Sequence, residues 1–300
     1  MESTSFTNYV GLVNFGNTCF LNASVQLLMC ARVLGGFMEF CDKYLNSSDI
    51  TKYTQTWKDY MNLETKIMGP RILYYRYMLL NTSYVGFSQE DSHEFLTFTL
   101  DDIIEQIKLA LSSSQIEQSK KDEVIDEINK IFRLGFTQTV YYTNPTHPEF
   151  SKPSVSQVYE NILTLPIESS CKTLGDCVEL YMNQTESEFR LSYKLTNLPK
   201  YIFVGLKRFR CSNIHIEKIV DPIDIPFQTN IFDPNSTYVL KGFIMHVGGV
   251  QGGHYYAYGL RKINEEVKWF CFNDSNVHEV TDTHVKSEAT QAYVLLYARI

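Results

Sequence analysis

The sequence has no apolar run approaching the roughly 18 residues that a membrane-spanning helix requires, and no dense run of Lys and Arg. Its formal net charge is −7. A nucleic-acid binder draws its affinity from phosphate neutralisation, so this balance argues against one. The first residues, Met-Glu-Ser-Thr-Ser-Phe, have neither the basic start nor the apolar stretch of a secretory signal. The seven cysteines are odd in number, and no two are spaced as Cys-x-x-Cys. A reducing compartment, cytoplasmic or nuclear, with free thiols is therefore expected, and neither a membrane nor a nucleic acid is expected as partner. No low-complexity linker and no repeat divides the 300 residues.

What is present reads as an ordinary globular composition, 44% apolar and 20% charged, with a sizeable core. Apolar residues at helical spacing follow Cys19. Polar residues 46–49 can cap a helix carrying Trp57, Tyr60, Met61 and Leu63, and Gly69-Pro70 opens a short helix through Leu73, Tyr77 and Leu80. Ser88 reads as the N-cap of the next helix, with Asp91 at its third position. A charged helix is expected over 116–132 and another helix over 171–182. Strands are expected from Phe136 onward and over 201–209, 238–247, 254–260, 267–272 and 292–297. The reading is a single α+β enzyme, helical first and sheet-rich later.

Residues 14–19, Asn-Phe-Gly-Asn-Thr-Cys, put a cysteine where a turn meets a helix. A helix N-terminus offers unpaired N–H groups and the positive end of the macrodipole, and both favour the nucleophilic thiolate. A buried, inert thiol fits the same local pattern. A nucleophilic cysteine needs a base and an orienting group. His254 follows Gly252-Gly253 at the start of a strand and shares a face with Tyr256 and Tyr258. Asn273 and Asp274 end a later strand, close enough in sequence for one hairpin to bring Asn273 beside His254. A strand histidine and a strand-ending Asn-Asp-Ser turn are the plain structural readings of the same residues.

The order Cys, His, Asn is that of a papain-like thiol protease. Five stretches, in order, resemble the boxes of the ubiquitin-specific proteases: residues 11–23, 89–96 (Gln-Glu-Asp-Ser-His-Glu-Phe-Leu), 206–209 (Leu-Lys-Arg-Phe), 238–246 leading into the histidine, and 272–275 (Phe-Asn-Asp-Ser). The resemblance implies a thumb–palm–fingers architecture, with the thumb over about 1–135, a fingers-like region over about 136–198 and the palm over about 199–300. It implies a deubiquitinase. In that role Cys19 is the nucleophile, His254 the base and Asn273 its orienting amide, with Asp274 sharing that work. Asn14 becomes the oxyanion donor. Gln89, Asp91 and Glu94 contact the basic tail of ubiquitin, and Gly252, Gly253 and Tyr255 form a tunnel that only glycine fits.

Many members of that family hold structural zinc through two Cys-x-x-Cys pairs, expected here near 142–145 and between 181 and 201. Neither place has a cysteine. No metal and no cofactor are therefore expected, and Cys171 and Cys177 are expected to lie on a helix. Ubiquitin and ubiquitinated proteins are the implied partners of a monomer. Two other readings stay open: a catalytically weak ubiquitin-binding scaffold, and a protease for a different ubiquitin-like modifier.

Overall fold

The computed structural model describes residues 9–45, 47–61, 67–82, 84, 88–142, 152–211, 216–249, 252–263 and 265–300. The turn at Asn144-Pro145 and most of the first expected zinc position lie outside them. Six helices come first: α1 (Cys19–Leu28), α2 (Arg32–Leu45), α3 (Ser48–Met61), α4 (Arg71–Leu80), α5 (Ser92–Ser113) and α6 (Gln118–Phe132). Two short parallel strands, β1 (Gly11–Leu12) and β2 (Ile67–Met68), pair in front of α1.

A four-stranded antiparallel sheet follows, in the order β4 (Ser154–Glu160), β3 (Leu134–Tyr142), β7 (Phe189–Asn197), β6 (Asn183–Thr185). The larger sheet runs β15 (Asn276–Val280), β14 (Glu266–Asn273), β13 (Gly252–Ile263), β12 (Tyr238–Gly249), β16 (Val294–Arg299), β8 (Tyr201–Leu206), β5 (Ile162–Leu165). Only β5 and β8 pair in parallel within it, and β11 (Gln228–Thr229) adds to β12. A small hairpin of β9 (Phe209–Cys211) and β10 (Ile216–Lys218), with helices α7 (Leu174–Met182) and α8 (Asp282–Ala289), completes the fold.

Strand periodicity explains how the large sheet serves two cores. On β12, Ile244 faces the helical core, while Phe243 and Met245 face a second core built on α7 and α8. On β13, Tyr255 and Ala257 face the first and Tyr258 the second. Both faces are thus covered, and the strands read as continuous apolar runs. All ten residues of α1 are buried, including Asn22, Ser24 and Gln26. A helix buried on every side must satisfy its polar residues internally. Ser24 Oγ donates to Phe20 O (2.7 Å) and Ser92 O (3.1 Å). Gln26 Nε2 donates to Val10 O at 2.6 Å, and its Oε1 accepts from the Tyr60 hydroxyl at 2.8 Å.

Three expectations need correction. The N-cap of α5 is Asp91, not Ser88: its Oδ1 accepts from His93 N (2.7 Å) and Glu94 N (3.2 Å). Both Ser88 and Asp91 can cap, and Asp91 prevails because Tyr255 and Tyr293 hold its other oxygen. Helix α7 starts at Leu174 behind a Thr173–Asp176 capping box, so Cys171 precedes the helix. The strand expected over 201–209 breaks after Leu206. There the buried Arg208 guanidinium turns away from the ladder and donates to the carbonyls of Ala292, Ile219, Asp221 and Thr290.

Candidate active site

Residues 14–18 make a tight polar turn in front of α1. Gly16 and Asn17 take positive φ (94° and 57°), which glycine and asparagine tolerate. Asn14 Oδ1 accepts from Gly16 N (2.9 Å), Thr18 N (3.1 Å) and Thr18 Oγ1 (3.2 Å), so this one side chain holds the turn. Cys19 is the first residue of α1 and is 4% exposed. Burial raises its thiol above the ordinary value of 9.0, and the Asp274 carboxylate adds to the rise. The N–H groups of Tyr255, Phe20 and Cys19 itself pull the other way without prevailing. At this thiol desolvation outweighs the helix terminus, which by itself favours the thiolate.

The influence of the Tyr255 N–H places the start of β13 near the thiol. One residue earlier, His254 Nε2 lies 2.6 Å from Asn273 Oδ1. The β13–β14 register sets Ala257 opposite Phe272, so Asn273 lies diagonally across from His254. An accepting Oδ1 requires Nε2–H, which leaves Nδ1 as the basic nitrogen. Among the described residues no hydrogen bond joins His254 to Cys19. The His254 ring stacks with Tyr256 at 6.4 Å between centroids, as its shared strand face requires.

Asp274 does not share the orienting of His254. It sits at φ 51° in the turn after β14 and faces the N-terminal segment. Its Oδ2 accepts from Asn14 Nδ2 (2.9 Å), its Oδ1 from Asn22 Nδ2 (2.7 Å), and its main-chain O from Leu12 N (2.8 Å). Asp274 thus ties the turn, the start of α1 and strand β1 to the end of β14. The backbone there passes so close that a Cβ at Gly11 would lie 2.5 Å from Ser275 O.

The residues expected to bind a substrate tail divide into three kinds. Asp91 is committed internally: besides capping α5, its Oδ2 accepts from the hydroxyls of Tyr293 (2.6 Å) and Tyr255 (3.1 Å). It therefore does not form a free carboxylate pair with Glu94. Glu94 is exposed, and partial burial together with Asp91 and Glu90 raises its pKa. Gln89 exchanges two hydrogen bonds with the backbone of Gly253. A Cβ at Gly253 would meet His246 Nε2 at 2.1 Å and Val247 O at 2.6 Å, so this position requires glycine. At Gly252 the nearest atom is Gln89 Oε1 at 3.6 Å, an ordinary contact, so glycine is not required there by space.

Sequence reading gave no role to Asn22, Tyr293 or His246. Asn22 carried a signal: it and Gln26 stand four apart on one side of α1, a mostly apolar helix. His246 is buried against Tyr255, Phe209 and Tyr293, and burial, with the Lys218 ammonium adding, holds its pKa down at about 4. Among the described residues no three His, Cys, Asp or Glu side chains gather as metal ligands.

The family model for ubiquitin carboxyl-terminal hydrolases matches residues 10–297. The chain belongs to this family. Among relatives of this ubiquitin carboxyl-terminal hydrolase domain is ubiquitin carboxyl-terminal hydrolase 2 of Bos taurus, 23% identical over 99% of this chain and 56% of its own length. The probable ubiquitin carboxyl-terminal hydrolase 16 of Schizosaccharomyces pombe is 24% identical over 97% of this chain and 67% of its own. The chain thus spans little more than half of the first of these relatives. A solved structure, a SAGA DUB module of Ubp8, Sgf11, Sus1 and Sgf73 bound to monoubiquitin, covers the whole chain with a TM-score of 0.77 at 22% identity, over 71% of the matched chain. The α+β architecture expected from sequence is the architecture of this family. No helix is long and apolar enough to cross a membrane, among the described residues.

Proposed function

We propose that this chain is a deubiquitinating thiol isopeptidase, cutting the bond after the C-terminal glycine of ubiquitin. The observation that carries the reading is the 2.6 Å His254–Asn273 contact on a strand whose next residue, Tyr255, has its N–H near enough to the Cys19 thiol to lower its pKa. Membership of the ubiquitin carboxyl-terminal hydrolase family supports the substrate class. So do the relatives' names and a structural neighbour bound to monoubiquitin.

In this reading Cys19 rests as a neutral thiol. Its proton passes to His254 Nδ1 as the sulfur bonds to the substrate carbonyl carbon. Asn273 keeps Nε2–H engaged, so the imidazole meets the thiol with its basic nitrogen. The oxyanion is received by the Cys19 N–H and by Asn14 Nδ2, whose second N–H is not spent on Asp274. Loss of one such donor costs about 3–4 kcal/mol in well-studied proteases. The imidazolium then gives its proton to the leaving lysine amine. Water, deprotonated by His254, cleaves the thioester and releases the ubiquitin carboxylate and the free thiol. Gly253, which its packing against His246 keeps free of a side chain, leaves bare backbone before His254 for a glycine-glycine end, and Glu94 offers a carboxylate to a basic tail.

The test is release of a fluorophore from a C-terminal ubiquitin amide, wild type beside Cys19→Ala. Turnover lost in the variant supports the proposal. Absence of turnover by folded wild-type protein refutes it, and capture of ubiquitin without turnover would assign a binding module instead.

A further inference from the structure

His254, Tyr256 and Tyr258 alternate onto one face of β13. Helix α8 meets that face at two points. The Tyr258 hydroxyl lies 3.0 Å from His284 Nε2, and the Tyr256 hydroxyl donates to Glu288 Oε2 at 3.4 Å. Four residues of helix advance about 6 Å and two of strand about 6.6 Å, so helix and strand meet in step. Helix α8 ends at Ala289, and the row of strand side chains runs on past it to His254. The rings follow one another in that row: Tyr258 and Tyr256 edge-to-face at 5.8 Å between centroids, then Tyr256 and His254 stacked at 6.4 Å and 22°. Both spacings lie in the range in which aromatic pairs attract. Continued one step past Ala257–Phe272, the β13–β14 register sets Asn273 opposite Tyr256, so one imidazole meets both an amide and a phenol ring.

Proton transfer from Cys19 makes this imidazole a cation, and little nearby charge answers it. Asn273 accepts from Nε2 with a neutral amide oxygen. The Asp274 carboxylate is taken by Asn14 and Asn22. His246, on the adjoining strand β12, is neutral, with a pKa of about 4. Glu288 differs. It is half-buried, and among the described residues no Lys, Arg or His forms an ion pair with it. Burial and then Glu288 push the Tyr256 hydroxyl up to about 12, so the phenol stays protonated and keeps donating. A phenol that donates to a carboxylate carries a more electron-rich ring, and such a ring face attracts a cation more strongly.

We infer that Tyr256 is a positioning residue for His254: tied to Glu288, it fixes the plane of the imidazole and stabilises the imidazolium, for which the neutral Asn273 supplies no charge. The inference rests on the protease reading, in which His254 is the base. Tyr256 acts through His254 and not on the substrate, so its loss falls on kcat and leaves KM.

Initial rates of the full chain on a C-terminal ubiquitin amide test it. Glu288→Gln removes the charge and Tyr256→Phe the hydroxyl, and each should lower kcat about fivefold with KM within about twofold. Their double variant should lose no more than either. Ser287→Ala, exposed on the same helix, should leave kcat as it is. Asn273→Asp supplies the missing charge directly, so in the Glu288→Gln background it should restore kcat about threefold or more. A merely structural tie between α8 and β13 would not be rescued from position 273. A kcat within about twofold of wild type in both Glu288→Gln and Tyr256→Phe overturns the proposal, and so does a failed rescue in folded protein. The stacking is read without turnover. In proton NMR the His254 imidazole resonance, assigned by its loss in His254→Gln, should shift in Tyr256→Leu, or in Tyr256→Met where the first does not fold, as the ring current is lost. Wild-type protein that folds without turning over refutes the protease reading, and the resonance then decides: if it does not move, Tyr256 does not support His254.

Discussion

The side-chain amide of Gln89 and the main chain of Gly253 form a reciprocal pair: Nε2 donates to the glycine carbonyl at 3.0 Å and Oε1 accepts its N–H at 2.9 Å. Gln89 stands in for one residue of a β-strand. An extended peptide docking along β13 would use those same two backbone groups. Gln89 therefore competes with the substrate tail for the first residues of the strand that carries His254. Gln89→Ala should lower KM for a ubiquitin amide about fivefold, the equivalent of ~1 kcal/mol. Initial-rate kinetics decide it. A raised KM would make Gln89 a substrate contact instead.

Asp274 connects two asparagines that the nucleophile depends on. Asp274→Asn keeps its size but turns one carboxylate oxygen into a donor facing another donor, either Asn14 Nδ2 or Asn22 Nδ2. Asn22 is buried. The expected stability loss is about 1–3 kcal/mol in chemical denaturation. The expected fall in kcat exceeds that seen in Asn22→Ala, because Asn14 is disturbed as well. Unchanged kcat in a folded Asp274→Asn protein would contradict this placement of Asp274.

The raised pKa of Cys19 sets how the resting enzyme reacts with a small electrophile. A thiol above its ordinary 9.0 exposes little thiolate at neutral pH. The rate of Cys19 alkylation by iodoacetamide should rise with pH through 9 without levelling off near 7. The same shift acts on stability with a fixed sign. Above the unfolded thiol's pKa the folded state retains a proton that the unfolded state has lost, so folding weakens as pH rises through that range. Cys19→Ala should reduce this alkaline loss without abolishing it, because burial raises the thiols of Cys41, Cys177 and Cys271 as well. A plateau in alkylation at or below pH 7 would mean a preformed thiolate.

The two glycines before His254 are not equivalent. At Gly253 an added methyl meets both a ring nitrogen and a backbone carbonyl, and the paired β12 strand gives it no room. Gly253→Ala should reduce kcat/KM at least a hundredfold. Gly252→Ala, with an ordinary contact to a side-chain end, should cost less than tenfold. Equal losses in steady-state kinetics would place the tunnel wall in the substrate complex alone.

Much of this was legible in the chain itself. Polar turn, glycine and cysteine before an apolar run located the start of α1, and period-two alternation located the strands around His254 and Asn273. Three things were not legible. Capping preferences of Ser88 and Asp91 are nearly equal locally, and only the distant hydroxyls of Tyr255 and Tyr293 separate them. The thiol's burial depends on how β13 packs against α1, which no local pattern states. Asp274 lies next to Asn273 in sequence, but its positive φ turns it toward Asn14 and Asn22 instead of the histidine.

Helix α1 is greasy on all sides, and a greasy cylinder in a greasy sleeve can slip along or about its axis. This one is keyed. Asn22 engages Asp274, Ser24 engages Ser92 O, and Gln26 engages Val10 O and Tyr60, three teeth in three separate slots. Rotation by one residue or translation by a fraction of a turn would unseat all of them together. The apolar residues make the helix stay in the core, and the teeth decide at what angle and depth the sulfur at its tip is presented.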